Sequence, residues 1–208
     1  MPIPTAKDFQ AAFLKAYASC RDRIESDEGW KTIWTSQWNE FMMYKTSTSR
    51  PKQLQRSVLH ETAENLKLEY HEREHLKLDG VFYSQNAIYK KGDFAFPFLV
   101  ALEHENDWRG LEREIVKLLS VRAPLKVAIT YLLSGNSPMP PVKKNEHLKD
   151  IRTLIVRNFD AIGQVVSEAA SAQYLFLIGS EEQERTLGWH SLSFSASDGP
   201  EGKRFEMI

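Results

Sequence analysis

The sequence is poor in cysteine, in long apolar runs and in net charge, and each absence excludes a class of protein. A single cysteine, Cys20, cannot form an internal disulfide or supply a cysteine-rich zinc site. The longest strongly apolar runs, 94–102 and 127–133, are far shorter than the roughly 20 residues that cross a bilayer. The N-terminus lacks the basic-then-apolar pattern of a signal peptide. We therefore expect a cytoplasmic protein with no membrane partner.

The near balance of charge argues against a purely electrostatic nucleic-acid-binding module. The 208 residues include 27 Lys and Arg against 28 Asp and Glu, for a net charge of −1. A strongly basic domain would attract phosphates by itself. Here such contacts must come from local clusters of cations or from a bound metal ion. The length is sufficient for one well-cored globular domain.

Helical and strand-like periodicities alternate along the chain and predict the fold class. Residues 1–50 are predicted to form an N-terminal helical extension packed on an α/β domain of residues 51–208. Within that domain we expect a helix at 52–68, a strand around Asp79, a turn at 90–93, strands at 94–105, 125–133, 174–178 and 189–195, helices starting near 106 and at 147–170, a loop at 134–141, and a frayed ending at 198–203. Buried strands joined through helices indicate a mixed central sheet flanked by helices.

The N-terminal region is rich in aromatic residues at helical spacing. Trp30, Trp34 and Trp38 follow one another at four-residue steps. Such clusters are more typical of a core or an interface than of a platform on which bases stack. These helices either complete the core or mediate a homodimer.

A pair of carboxylates closes the apolar strand that precedes residue 106. Glu103 and Glu105 are one residue apart, so the two-residue period of a strand places them on the same side of the sheet. Like charges at that spacing repel one another, and a divalent cation is the simplest compensation. Oxygen ligands favour magnesium, manganese or calcium. Asp79, 24 residues before Glu103, would join the pair if the two strands form a hairpin.

These residues resemble the PD-(D/E)xK nuclease superfamily of restriction endonucleases, resolvases and repair exonucleases. The likeness lies in Leu78-Asp79-Gly80-Val81, in Val100–Glu105, and in the order of elements between 52 and 133. It implies a restriction-endonuclease-like core and a nuclease that uses Mg²⁺ or Mn²⁺ to hydrolyse DNA. Asp79, Glu103 and Glu105 would then be the catalytic and metal-binding residues. It also implies that a glutamate of the helix before the hairpin, Glu64 or Glu61, contributes to the metal site.

The sequence departs from the pattern of this superfamily at two positions. Leu78 stands where proline is usual before the first acid, and Glu105 stands where lysine is usual. The second departure is similar to restriction enzymes that use glutamate as a base or metal ligand there. Otherwise the positive charge would come from the next helix, through Arg109, Arg113 or Lys117.

Other polar residues offer weaker alternatives. Zinc ligation would have to come from four histidines, which are His60, His71, His75 and His104. The segment between His71 and His75 is predicted to be a strand or a turn, where their four-residue spacing suits zinc ligation poorly. His104 should face away from the carboxylates. Asn106 and Asp107 are predicted helix caps. The alternative role of Asn106 is a contact with substrate. Trp108 is expected to cover the core.

Three functions are compatible with these observations. The first is a metal-dependent deoxyribonuclease, and the second is a nuclease-like domain that has lost activity and serves as a binding or assembly module. The third is an unrelated α/β protein whose acidic residues are simply solvated. The resemblance favours the first, while the missing lysine and the neutral net charge favour the second.

Overall fold

The structure, a computed structural model, describes residues 3–24, 26–43, 56–71, 78–84, 98–133, 139–163, 171–183 and 185–208. The chain divides into two compact units. The first comprises Met1–His75 and Gly80–Leu99, and the second comprises Leu76–Asp79 and Val100–Ile208. The first three helices belong to the same unit as the fourth helix.

The described residues of the first unit form four helices and an antiparallel pair of strands. The helices are α1 (Ala6–Asp22), α2 (Asp27–Ser36), α3 (Trp38–Met42) and α4 (Val58–Asn65). The strands β1 (Leu68–His71) and β2 (Gly80–Ser84) pair antiparallel. The strongest helix start is that of α1, where Thr5 and Asp8 form a reciprocal capping box that satisfies otherwise unpaired N–H groups. Lys67, with φ of +57°, ends the α4 region in a left-handed residue before β1 begins.

Aromatic rings hold the helices of the first unit together. Phe9 is fully buried on α1 and meets the ring of Phe82 edge to face at 5.4 Å. Trp30 is buried, whereas Trp34 and Trp38 are half-buried around it, with ring centroids 6.0 and 6.2 Å from that of Trp30. The predicted packing role of this cluster is confirmed for Trp30. Its role in a homodimer stays a prediction.

The second unit is built on a mixed sheet of five strands in the order β3-β4-β5-β6-β7. These strands are β3 (Val100–Glu105), β4 (Leu125–Leu132), β5 (Gln173–Gln183), β6 (Thr186–Ser195) and β7 (Glu206–Met207). The first three are parallel, and the last two pairings are antiparallel. Parallel neighbours need crossover connections. Helix α5 (Leu111–Ser120) supplies the first, and α6 (Pro141–Gly163) supplies the second.

Both crossover helices lie on one face of this sheet. Right-handed crossovers that step twice in the same direction must deliver their helices to the same side. Side chains of α5 and α6 accordingly enclose a small apolar space against β5 and β6, lined by residues that include Ile115, Ile155 and Phe176. None of the described helices is both long enough and apolar enough to cross a membrane.

The predicted α/β class is confirmed, and several element boundaries are corrected. The helix expected at 52–68 is described only as Val58–Asn65, and Leu68 belongs to a strand because the left-handed Lys67 precedes it. The long helix starts at Pro141 rather than at 147, since proline is well suited to a first helical position. The ending at 198–203 is turned rather than frayed. It is fastened by a 2.6 Å hydrogen bond from Arg152 Nε to the carbonyl of Lys203.

Some expectations concern positions outside the described residues. They are the linker or turn that the sequence TSTSRP predicts at 46–51, the turn at 90–93, Pro97, which is expected at the entry of the strand at 94–105, and His75, together with most of the loop at 134–141 and the last part of the helix at 147–170.

Candidate metal centre

Three carboxylates meet in the second unit. An oxygen of Asp79, one of Glu103 and one of Glu114 all lie within 4.8 Å of one another. Among the described residues this is the one group of acidic, histidine or cysteine side chains with such spacing. Two of its members, Asp79 and Glu103, are predicted site residues. Glu105 and Glu64 are not part of it.

Strand β3 places Glu103 beneath the crossover helices. The parallel register aligns Glu103 with Ala128 of β4, and Ala128 with Phe176 of β5, whose ring faces α5 and α6. Cross-strand partners share a face, so the Glu103 side chain points towards the helices. It is fully buried, and its Oε1 has no hydrogen-bond partner among the described residues. A buried carboxylate oxygen without a donor is costly unless a cation or a proton satisfies it.

Asp79 is held against the same strand by the main chain. The backbone N–H of His104 donates a 2.9 Å hydrogen bond to Asp79 Oδ2. This contact fixes one oxygen of the carboxylate. The half-buried Asp79 lies directly before Gly80, where the first unit resumes.

Helix α5 contributes a third carboxylate and a lysine. Glu114 lies within the buried stripe of this helix, whose members are Leu111, Glu114, Ile115, Leu118 and Leu119. One turn later, Lys117 Nζ lies 2.5 Å from Glu114 Oε2 and 3.3 Å from Glu103 Oε2. The alternation of strand residues gives no indication of Glu114. The sequence feature that could have identified it is a carboxylate within the apolar stripe of a helix. Lys117 was among the three cations expected to replace the missing lysine.

The crowding of these carboxylates changes how they titrate. Burial raises the pKa of Glu103 to about 10, and a hydrogen bond with Glu114 and the charge of Asp79 act in the same direction. Partial burial lowers the pKa of Lys117, but its hydrogen bond to Glu114 and the charge of Glu103 outweigh this and leave the pKa above its ordinary value. Lys117 is therefore a permanent cation beside a carboxyl that retains a proton at neutral pH when no metal is bound.

Glu105 stands apart from the cluster in a local turn. Its Oε1 accepts a 3.1 Å hydrogen bond from the N–H of Asp107, so this carboxylate caps the chain that leaves β3. Gly110 leaves room for it, since a Cβ there would lie 2.5 Å from Glu105 Oε2. A metal or catalytic role of Glu105 stays a prediction.

The remaining predicted acids and cations lie outside the cluster, and most of them have other partners. On α4, Glu61 forms an ion pair with Arg23, and Glu64 Oε2 lies 2.6 Å from Arg56. Arg109 is engaged by the carboxylate of Asp107. Arg113 is exposed on α5. A contribution of Glu64 to a metal site stays a prediction.

His104 points away from the carboxylates, as strand alternation predicts. Its Nε2 lies 2.8 Å from the hydroxyl of Tyr131, and the two rings meet edge to face. Burial lowers the pKa of His104 to about 4, so the imidazole is neutral at physiological pH. Of the other histidines, His60 lies 2.8 Å from the hydroxyl of Ser57 and packs on the ring of Tyr70.

Comparison with known proteins adds no family to this picture. No protein-family model matches the sequence. A search of curated proteins finds no significant relative.

Proposed function

We propose that this protein is a nuclease that hydrolyses phosphodiester bonds of DNA with the help of Mg²⁺ or Mn²⁺. The observation that carries the proposal is the buried Glu103 Oε1, which lacks a hydrogen-bond donor and faces two further carboxylates. A cluster of acids alone would have little meaning. The fully buried Oε1 has no donor among the described residues, and a divalent cation would satisfy it in place of the proton that the carboxyl otherwise retains.

The donor set suits a hard divalent cation. Carboxylate oxygens that share one Mg²⁺, Mn²⁺ or Ca²⁺ at about 2.1–2.5 Å can lie up to 4–5 Å apart. The spacing within 4.8 Å among Asp79, Glu103 and Glu114 fits this limit. Neither histidine nor cysteine belongs to the group, which disfavours zinc. When bound, such a cation polarises a phosphate oxygen and favours deprotonation of water.

The protein residues have separate roles around that cation. Asp79 is oriented by the His104 N–H, which leaves its other oxygen available as a ligand. Glu103 would give up its proton when the cation binds. Lys117, one-third exposed and already 3.3 Å from Glu103, would place its ammonium near the negative charge that develops on the scissile phosphate.

The assignment to DNA depends on the resemblance to PD-(D/E)xK nucleases. The described order of Asp79, β3 with Glu103, α5 and β4 agrees with the order of elements in that superfamily. Lys117 of α5 would supply the charge that the superfamily usually places at the position of Glu105. This arrangement favours an active nuclease over an inactive module.

Metal binding and cleavage test the proposal together. Calorimetric titration of wild-type protein with Mn²⁺ should show one site, and plasmid DNA should be cleaved only when the metal is present. Glu103→Gln should lose both properties. Lys117→Met should keep metal binding and lose most of the cleavage, because the lysine is not a ligand. The exposed Glu146 on α6 provides a matched control, since Glu146→Gln should behave as wild type.

Two results would contradict the proposal. Absence of Mn²⁺ binding by wild-type protein would remove its basis. Retention of cleavage by Glu103→Gln would mean that the reaction takes place elsewhere. Metal binding without cleavage of linear, branched or single-stranded DNA would instead identify a metal-binding module.

A further inference from the structure

A cleft opens where the parallel strands β3 and β4 end in the second unit. Its volume is about 610 Å³. The described residues that line it follow β3, end β4 or begin α6: Asn106, Asp107, Trp108, Arg109, Tyr131, Leu133, Met139, Pro140, Lys143 and His147. In α/β sheets the carboxyl ends of parallel strands are the usual place for a ligand. The catalytic roles proposed above use none of these side chains.

One part of the lining is aromatic and apolar. Trp108 is half-buried, and its ring packs at 5.0 Å on that of His147, tilted by 42°. Tyr131 is buried in the lining, where a hydrogen bond between its hydroxyl and His104 fixes the ring. Leu133, the residue that follows β4, is 46% exposed. Aromatic faces of this kind suit a flat, weakly polar ring.

The other part of the lining is positively charged. Lys143 is exposed in the first turn of α6, a turn that contains no acidic residue. The N-terminus of a helix already favours anions, and a lysine there strengthens the preference. Arg109 adds a second cation, held in place by Asp107, which is itself the acidic residue of the lining. Because Asp107 offsets one of these two cations, the described lining has one positive charge in excess, in a protein whose net charge is −1.

We propose that this cleft binds a nucleoside phosphate unit of single-stranded nucleic acid. The base would pack on Trp108, and the phosphate would lie near Lys143 and Arg109. A duplex keeps its base faces stacked, whereas a single strand presents them to aromatic side chains. A ring surface next to a pair of cations therefore fits the single strand better.

The inference rests on the proposed nuclease function and names its substrate class. The lining of the cleft begins at Asn106, directly after Glu105, which is the last residue of β3. Glu105 Oε1 accepts a hydrogen bond from the N–H of Asp107, another lining residue. Glu103 precedes Asn106 by three residues, or on the order of 10 Å of strand. A nucleic-acid strand bound in the cleft would thus lie at the end of the β-strand that carries Glu103.

Binding in the presence of EDTA tests the cleft without requiring catalysis. Fluorescence anisotropy would follow a labelled twelve-residue oligothymidylate, compared with an abasic oligomer of equal length and with a twelve-base-pair duplex. Wild-type protein should prefer oligothymidylate to both. Trp108→Leu should weaken oligothymidylate binding about fivefold or more and leave abasic binding unchanged, because one stacked base is lost.

A second substitution tests the phosphate contact. Lys143→Gln should weaken binding of oligothymidylate and of the abasic oligomer alike, and should lower the salt dependence of both by about one phosphate contact. Lys149→Gln is the matched control, since Lys149 is exposed on the same helix and does not line the cleft. Competition by thymidine monophosphate distinguishes the sources of the ligand. If thymidine monophosphate displaces the labelled oligomer at concentrations close to those needed with unlabelled oligothymidylate, the ligand of the cleft is a free nucleotide. If much higher concentrations are needed, the ligand is a nucleic-acid strand.

Equal affinity of wild-type protein for oligothymidylate and the abasic oligomer would overturn the proposal. Preference for the duplex would do the same. The comparison of the two oligomers uses wild-type protein, so it decides the matter even if Trp108→Leu does not fold. Failure of metal-dependent cleavage with retained oligomer binding would refute the nuclease function alone, while cleavage without single-strand preference would refute the cleft alone.

Discussion

Replacing Glu103 by glutamine should stabilise the metal-free protein, although it should destroy the candidate metal centre. Burial raises the pKa of Glu103 from an ordinary 4.5 to about 10. Between these values the folded state keeps a proton that the unfolded state releases. Stability contributed by the carboxyl is therefore complete below about pH 4.5 and is lost as the pH rises towards 10.

The size of the effect follows from the same two pKa values. Each pH unit above the ordinary pKa of 4.5 costs about 1.4 kcal/mol of unfolding free energy. At pH 7 the penalty in the wild type is therefore about 3 kcal/mol, and Glu103 is fully buried, so solvent does not screen it. Glutamine avoids the penalty, because its amide needs no proton from solution and can donate to Glu114 or Asp79. Glu103→Gln should thus gain about 3 kcal/mol at pH 7 and almost nothing at pH 4.5.

Urea unfolding followed by circular dichroism in EDTA, at several values between pH 4.5 and 8, measures this difference. Glu146→Gln, an exposed substitution on α6, should change stability by less than about 0.5 kcal/mol at every pH. Mn²⁺ at about 100 times its dissociation constant should then stabilise the wild type by about 2.7 kcal/mol and leave Glu103→Gln unchanged. A Glu103→Gln protein that is no more stable than wild type at pH 7 would refute the reasoning, since burial would then not hold a proton on the Glu103 carboxyl.

Three further predictions concern the packing around the sheet of the second unit. Gly179→Ala should lower the urea midpoint by an amount equivalent to about 1–3 kcal/mol, because the new Cβ would lie 2.8 Å from the Tyr131 ring; an unchanged midpoint would contradict this packing. Lys144→Met should lower the free energy of unfolding by about 1–2 kcal/mol, because it removes the partner of Glu182; this figure is reduced because Glu182 is one-third exposed. The double variant Lys144→Met with Glu182→Gln should recover part of that loss. Since burial lowers the pKa of His104 from 6.5 to about 4, the stability of the wild type relative to His104→Gln should fall by up to about 3 kcal/mol as the pH drops through that window. A stability difference between the two proteins that does not change with pH would exclude this role of His104.

Elements with a strong local pattern could be predicted from the sequence. Strand β4, predicted at 125–133, is described at Leu125–Leu132, because an apolar run of eight residues has no competing structure when two helices flank it. The burial of Glu103 follows from the same kind of pattern, because Glu103 lies within a strand that is buried on both faces. These predictions depend only on neighbours in sequence.

Features that depend on docking or on a single backbone angle could not be predicted in this way. The positive φ of Lys67 ends one helix early and starts β1, and nothing in the apolar pattern indicates it. Glu105 has the same strand parity as Glu103, yet the chain turns immediately after it and the N–H of Asp107 holds its carboxylate. Alternation predicts the face of a side chain, whereas its partner is set by the turn that follows.

Glu114 shows how such a partner can be inferred before the structure is known. Glu103 interrupts a buried strand, and Glu114 interrupts the buried stripe of the helix that covers this strand. Either carboxylate alone would be a costly defect, so an interruption on one surface requires a polar group or a cation on the surface that packs against it. The same rule holds at Lys126, buried within β4, whose Nζ lies 3.2 Å from the hydroxyl of Tyr174 on the neighbouring strand. Polar residues that interrupt two apolar patterns should therefore be expected to contact one another. At Glu103 and Glu114 the cluster also contains Asp79, and Lys117 supplies a single positive charge for these three acids.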